Sequence, residues 1–246
     1  MKESTAEKLL KHVSNSYNLI ADEFNDTRKH SWKEFKYFQS YLSEGAEIVD
    51  IGCGNGRLLD FLFKHYLSNN FHYIGIDNCT NLLTHAQKKF PKSIFLPGDL
   101  ISLPISENSA DVVTSIAAFH HIPSYNLRLQ ALLEINRTLK TGGYLIITVW
   151  NLWQMKYLWP NLKAWMKFIT SFGDYAPNDL FIPWKDGHRV NHSDRYYHNF
   201  LPWEIRSLLA KAGFIIREDF GVRSGEKVAF LRSHNYCIIA QKPQNE

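Results

Sequence analysis

The sequence predicts an α/β fold: a doubly wound, mostly parallel, Rossmann-like sheet of seven strands, with an antiparallel hairpin at one edge and a helical, tryptophan-rich insertion. Three observations predict it. Short β-branched runs alternate with helical patterns along most of the chain, which requires parallel strands joined by right-handed crossovers. A glycine-rich loop, Gly52-Cys53-Gly54-Asn55-Gly56, closes the first of those runs and opens a helical pattern. Between 150 and 200 the alternation stops, and six of the seven tryptophans fall from Trp150 to Trp203.

Residues 5–20 and 31–42 carry apolar side chains at every third or fourth position, the period of a helix with one buried face. The period shortens at 46–51, which reads as the first strand, and 57–62 returns to a helical pattern. Further strands are expected at 71–76, 93–96, 110–116, 144–149, 214–220 and 235–240. Helices are expected at 80–90, 125–139 and 202–212, the last capped by Gly213. No obvious helix separates the last two strands, so a loop at 221–234 is expected to join them as the antiparallel edge hairpin. The whole of 1–246 is then one domain: N-terminal helices at 1–43, a first half carrying the glycine loop at 44–151, an insertion or lid at 152–200, and a C-terminal helix with edge strands at 201–246.

Composition excludes several classes. With 246 residues, 45% hydrophobic and 21% charged, the chain lies in the globular range and outside the disordered, collagenous and coiled-coil ranges. Cys53, Cys79 and Cys237 are scattered and form no C-x-x-C, against a disulfide framework or a cysteine zinc site. The charged N-terminus lacks the apolar core of a signal peptide, and the most apolar stretch, 150–169, is interrupted by Lys156, Pro160, Lys163 and Lys167. Neither export by that route nor a membrane anchor is expected, and the cytoplasm is the expected location. A formal charge of +4 does not by itself mark a nucleic-acid binder. Its distribution is more informative: 185–232 holds nine Lys/Arg against six Asp/Glu, a modest basic rim consistent with RNA.

In open parallel sheets ligands sit beyond the carboxyl ends of the strands, and the first strand here ends in Asp50-Ile51 before the glycine loop. Glycines permit the tight turn and let backbone approach a ligand without a Cβ in the way. A dinucleotide site wants G-x-G-x-x-G and an anion at the helix N-terminus. Here Arg57 stands where the third glycine would fall, and the Asp50 carboxylate would repel a pyrophosphate. That carboxylate suits a ligand bearing an ammonium and a sulfonium. Asp77, ending the second strand, can accept from both ribose hydroxyls, and Asp99, in Pro97-Gly98-Asp99-Leu100 after the third strand, can accept from an adenine amino group. Single strand-end aspartates are common turn residues; the loop and both acids in this register form a three-part signature.

This set resembles the class I S-adenosylmethionine-dependent methyltransferases. The likeness implies S-adenosyl-L-methionine as cofactor, held by Asp50, Gly52, Cys53, Gly54, Asn55, Gly56, Asp77, Asn78, Asp99, Leu100 and Ser115. Three further segments narrow it: 17–28, from Tyr17 to Thr27-Arg28; the pair His120-His121; and Arg195-Tyr196-Tyr197-His198 before the terminal helix. They are similar to the tRNA methyltransferases that esterify 5-carboxymethyluridine at the wobble position, a family that includes the eukaryotic enzyme and the methyltransferase domain of a larger AlkB-related protein. The resemblance runs through most of 12–240 and is weakest in 150–194. It implies that Tyr17 and Arg28 close over the methionine end of the cofactor and that the substrate is the anticodon loop of tRNA. It also brings in a small zinc-binding activator subunit, with which the eukaryotic relatives work, as a partner to look for.

A carboxylate nucleophile is already ionised at neutral pH, so methyl transfer to it needs positioning in a dry pocket and no strong base. Arg195 is the best cation for that carboxylate, because its fork can hold two oxygens at once. Arg195, Tyr196 and His120 are the expected catalytic group, with His121, Trp150, Tyr197 and His198 binding substrate by stacking or hydrogen bonding. Tyr196 and Tyr197 alternate as in an extended segment, so one packs inward and the other faces a ligand; either of His120 and His121 can be structural. Of the tryptophans only Trp150, at the end of the fifth strand, is expected to border the pocket. His188, His192 and His198 lack a cysteine or carboxylate to complete a tetrahedral set, and no metal is expected. Two other readings stay open: a methyltransferase for a small acid or metabolite with the insertion as a hydrophobic lid, and a non-catalytic cofactor-binding partner protein.

Overall fold

The computed structural model describes residues 1–28, 30–65, 70–185 and 191–244, with Asn191 and His192 described by backbone alone. In chain order the strands are β1 (Ala46–Ile51), β2 (Phe71–Asp77), β3 (Ile94–Pro97), β4 (Ala110–Ile116), β5 (Leu139–Trp150), β6 (Asp179–Lys185), β7 (Asn191–His198), β8 (Ile215–Arg223), β9 (Glu226–Val228) and β10 (Asn235–Gln241). The main sheet has the order β3-β2-β1-β4-β5-β10-β8-β9. β1 to β5 pair in parallel, and β10 is antiparallel to β5 on one side and to β8 on the other. β1 takes β2 on one flank and β4 on the other, so the strand order reverses there and leaves a crevice at the carboxyl ends.

The α-helices are α1 (Glu3–Leu19), α2 (Ala21–Thr27), α3 (Arg57–His65), α4 (Thr80–Lys89), α5 (Tyr125–Thr138), α6 (Leu158–Thr170) and α7 (Pro202–Lys211). They cover the sheet on both faces. Leu132 and Ile135 of α5 with Leu208 and Leu209 of α7 pack on Ile147 and Ile238. On the opposite face Leu58, Leu59 and Leu62 of α3 join Phe35, Phe38, Ile48 and Ile146. Because parallel strands are buried on both sides, they read as near-continuous apolar runs, and β1 and β4 coincide with the expected 46–51 and 110–116.

Five elements differ from expectation. The segment 31–42 is not an α-helix; it forms 3-10 turns at Lys33–Tyr37 and Gln39–Tyr41. Phe35 and Phe38 are three apart, and the tighter 3-10 period stacks them on one face, where both are buried. Pro97 closes β3 one residue later than expected, whereas β5 starts five residues early through Gly142 and Gly143. The edge hairpin is β8 with the three-residue β9, making eight strands, while β10 sits inside the sheet. The insertion is only half helical: after α6, β6 and β7 form a separate antiparallel pair. Among the described residues no helix is long and apolar enough to cross a membrane, and no group of three or more His, Cys, Asp or Glu is arranged to hold a metal. His188 lies outside the described residues.

A buried polar network fastens the β6–β7 pair to the sheet helices. The Asp179 carboxylate accepts from the Tyr196 hydroxyl at 2.7 Å and from His198 Nδ1 at 2.8 Å, and His198 Nε2 meets Glu204 of α7 at 2.7 Å. Arg128 of α5 lies 3.7 Å from Asp179 and 3.6 Å from Glu204, with its Nε donating to the Ile122 carbonyl at 2.9 Å. Burial by itself would raise the Asp179 carboxyl, but the hydrogen bond and charge of His198, the charge of Arg128 and the Ala176 amide together outweigh it, so it titrates below the ordinary range. Removing one member of such a set strands the others. Asp179→Ala should cost about 3–5 kcal/mol of unfolding free energy, read as a lowered urea midpoint. A loss below about 1 kcal/mol, the scale of one ordinary hydrogen bond, would show that the network does not fasten the insertion.

Candidate active site at the carboxyl ends of the strands

A cavity opens where the strand order reverses, and most of the expected ligand-binding residues line it: Tyr17, Arg28, Asp50, Gly52, Cys53, Gly54, Asn55, Asp77, Asn78, Leu100, His121 and Trp150. The loop after β1 explains the shape. Gly52 has φ +73°, and a Cβ there would stand 2.3 Å from the Ala118 Cβ, so only glycine lets the two turns approach. Across the cavity mouth Ala117 also adopts a positive φ of 54°, a backbone strain that turns the chain sharply after β4. Sequence reasoning did not single out Ala117, since nothing in a local pattern marks a strained alanine.

Asp77 is clamped at the end of β2: one carboxylate oxygen accepts from the Gly54 amide and the other from the Cys79 amide, each at 2.8 Å. Each oxygen keeps a further lone pair for a ligand hydroxyl. Asp50 accepts from Thr114 Oγ1 at 2.6 Å and Tyr73 Oη at 2.7 Å while lining the cavity. Burial pushes its carboxyl up to about 6, against the pull of those two hydrogen bonds.

Three of the expected cofactor residues do not line this cavity. Asp99 uses its carboxylate on the Ile101 amide at 3.2 Å, the local turn typical of aspartate, and the next residue, Leu100, reaches the cavity instead. At Gly56 a Cβ would meet the Phe90 ring at 3.0 Å, so this glycine serves helix packing. Ser115 is fully buried within β4, its hydroxyl without a hydrogen-bond partner.

Behind Tyr17 and Trp150 lies Arg195, 5% exposed and enclosed by rings. Its Cζ is 4.8 Å from the Trp184 ring centre, 5.3 Å from Tyr197, 5.8 Å from Trp150 and 6.0 Å from Tyr17. Its Nε and Nη1 have no hydrogen-bond partner, and neither does the Tyr197 hydroxyl. Among the described residues no carboxylate pairs with it, so its donors remain available to a ligand. Trp184 was missed because its register on β6 is set by pairing with β7, where Ile182 stands opposite Arg195. Trp32 also lines the cavity, so Trp150 is not the only bordering tryptophan.

His121 Nδ1 contacts the Tyr196 carbonyl at 2.7 Å, a contact that requires the proton on Nδ1; Nε2 then accepts from the Tyr17 hydroxyl at 2.8 Å. Burial holds His121 down to about 3, with the Arg195 charge adding to it against the Tyr196 hydrogen bond, so this histidine is neutral at any working pH. His120 is buried, stacks on Tyr197 at 5.1 Å, and accepts from the Trp150 amide. Two expectations are corrected by placement. Tyr196 packs with Leu9 and Val13 and spends its hydroxyl on Asp179 and Arg128, and His198 is held between two carboxylates. Both side chains build the structural network; Tyr197 is the tyrosine beside Arg195.

The glycine cradle, the Asp77 clamp, the Asp50 carboxylate and the apolar Leu82 and Leu100 together fit S-adenosyl-L-methionine, whose ribose, cationic methionine end and adenine need those groups. Residues 49–147 match the methyltransferase domain family. A tRNA (carboxymethyluridine(34)-5-O)-methyltransferase from Schizosaccharomyces pombe is 31% identical over 94% of this chain and 96% of its own length. This chain belongs to the tRNA carboxymethyluridine methyltransferase family. The same-named Arabidopsis thaliana protein is 35% identical over 60% of this chain, and that match spans 34% of the plant protein; the mouse match spans 20% of its protein. Among solved structures, a SAM-dependent methyltransferase from Methanosarcina mazei has the same fold, with a TM-score of 0.66 at 24% identity over 85% of this chain and 98% of its own. A Haloferax volcanii protein solved in complex with the Trm112 methyltransferase activator superposes with a TM-score of 0.62 at 18% identity, over 95% of this chain and 99% of its own.

As a family member the chain is an S-adenosylmethionine-dependent methyltransferase, and two properties of the site can be tested directly. A cationic ligand favours ionised Asp50, so affinity for S-adenosyl-L-methionine should rise from about pH 5 to about pH 7 as that carboxyl loses its proton. Asp50→Asn should flatten this rise in calorimetric titrations; an unchanged profile would remove Asp50 from the linkage. Arg195 is buried with aromatic faces around its charge and no carboxylate partner among the described residues, so Arg195→Met should raise unfolding stability by about 1 kcal/mol. A lowered denaturation midpoint would mean that its charge is paired.

Proposed function

We propose that the chain methylates the side-chain carboxylate of 5-carboxymethyluridine at the wobble position of tRNA. The carrying observation is Arg195, a buried guanidinium with free donors inside an aromatic enclosure. A guanidinium fork without a carboxylate of its own is a receptor for a carboxylate from outside. The names of the relatives from S. pombe, Arabidopsis and mouse support the same substrate.

When bound, S-adenosyl-L-methionine supplies an electrophilic methyl group; the residues of this chain do the positioning. Arg195 would hold the substrate carboxylate in two-point contact so that one oxygen faces the cofactor cavity. No proton has to leave the nucleophile, and neutral His121 matches that requirement: it orients Tyr17 through the 2.8 Å hydrogen bond and takes no proton itself. Trp150 and Tyr197 stack at 5.1 Å with 17° between their planes, and Trp150 offers its surface at the cavity as a face for the uracil ring. A small activator subunit belongs to the proposal, supported by the Haloferax neighbour solved with Trm112. Three buried free thiols suit a reducing compartment, and the cytoplasm is the proposed one.

The test uses S-adenosyl-L-methionine labelled in the methyl group and tRNA lacking the ester, followed by digestion and identification of the labelled nucleoside. Label in a base-hydrolysable ester is expected; label at a base-stable position would overturn the substrate assignment. Arg195→Gln should lower kcat/KM by about a hundredfold, the roughly 3 kcal/mol expected from losing a charge-assisted partner. Arg195→Lys should stay well below wild type, since an ammonium cannot reproduce the fork.

A further inference from the structure

A second cavity, of about 410 Å³, adjoins the first and shares Arg28, Trp32, Arg57 and Trp150 with it. Its volume lies within the roughly 300–1,000 Å³ of small-ligand sites. Its charge is one-sided. Arg28, Arg57 and Lys156 line it together with His30 and His234, and no Asp or Glu is among the described lining residues. None of the three cations makes an ion pair among the described residues. Aromatic rings hold them instead: Arg57 lies 5.0 Å from the Trp32 ring centre, Arg28 5.4 Å from Trp184, and Lys156 4.8 Å from Tyr157.

These charges repel one another. Arg195 weakens the hold of Arg28 on its proton, after burial, and Arg28 in turn acts on Arg57, which burial and that repulsion bring down to about 10. The one acid felt by Arg57 is Glu34, a buried side chain committed to Asn235. Arg195, Arg28 and Arg57 thus form a track of guanidiniums from the reacting pocket into the second cavity, and none of them makes an ion pair with a carboxylate among the described residues. Half-buried cations that repel are costly unless a polyanion joins them. Trp32 and Tyr157 border the same space and suit a splayed-out base.

We propose that this second cavity is the subsite for the phosphodiester and base of the nucleotide next to the one being methylated. The inference rests on the reading of a single-stranded RNA substrate and adds where its backbone is gripped. Arg28 and Arg57 would meet phosphate oxygens, Lys156 would add a mobile charge at the outer rim, and Tyr157 would offer its ring to the neighbouring base.

The test compares wild type with Lys156→Gln, Arg57→Gln and the double variant. The ligands are a fluorescent anticodon stem-loop carrying 5-carboxymethyluridine and the free 5-carboxymethyluridine nucleoside. Each substitution should weaken stem-loop binding, read by anisotropy, several-fold, and should reduce the slope of log Kd against log salt by about 1. Lys156→Gln should leave kcat at saturating stem-loop and turnover of the nucleoside unchanged. Lys156→Gln should keep wild-type affinity for S-adenosyl-L-methionine by calorimetry, and Arg57→Gln, which also borders the first cavity, should weaken stem-loop binding more than cofactor binding. The subsite is refuted if slopes and affinities match wild type, or if Arg57→Gln loses cofactor affinity in parallel, which would assign Arg57 to the first cavity. If wild type binds the stem-loop without esterifying it, the substrate reading falls, while a reduced slope in the variants still supports the subsite.

Discussion

Taking a guanidinium out of water costs several kcal/mol unless a partner compensates, and Arg195 is 5% exposed with two of its nitrogens free of hydrogen bonds. Four rings surround it, which supplies partial compensation through their π faces and shuts out water. Everything that brings those rings together has to be stable enough to carry the residual cost. β7 contributes Arg195 and Tyr197, β6 contributes Trp184, β5 contributes Trp150 and α1 contributes Tyr17. A carboxylate entering this enclosure would find its partner already desolvated and oriented, so most of the binding penalty has been met in folding.

The structural network beneath is the counterpart of that exposed weakness. Tyr196 points away from Arg195 to Asp179 and Arg128, while its carbonyl fixes the His121 proton on Nδ1. One residue therefore couples the anchoring of β7 to the orientation of Tyr17 at the site. The two neighbouring tyrosines divide the work as strand alternation demands, although both are fully buried: one faces a carboxylate network and the other faces an unpaired cation.

The cavity at the strand ends and the enclosure around Arg195 obey different rules. In the first, backbone geometry dominates: a glycine at positive φ, two amides on Asp77, and a strained Ala117. These groups sit at the reversal of strand order, where a doubly wound sheet leaves a crevice whatever the ligand. In the second, side chains from distant segments converge, and the insertion supplies chemistry that the sheet does not.

The sequence by itself determined the parts that depend on local pattern. Continuous apolar runs marked β1 and β4, and the glycine loop with Asp50 and Asp77 pointed to the cavity at the strand ends that they line, because a parallel strand buried on both faces and the turn after it are properties of adjacent residues. Arg195 and Tyr197 were singled out by their motif, and the structure sets them side by side. Only the tertiary structure decided that Asp99 and Gly56 turn aside, that Tyr196 and His198 serve the scaffold, and that Trp184 joins Arg195. It also placed β10 between β5 and β8 and made a strand pair of half the insertion. The physical reason is common to all of these: an aspartate, a tyrosine or a tryptophan takes its role from what stands opposite, and pairing register and burial set that across many tens of residues. No window of neighbouring sequence contains that information.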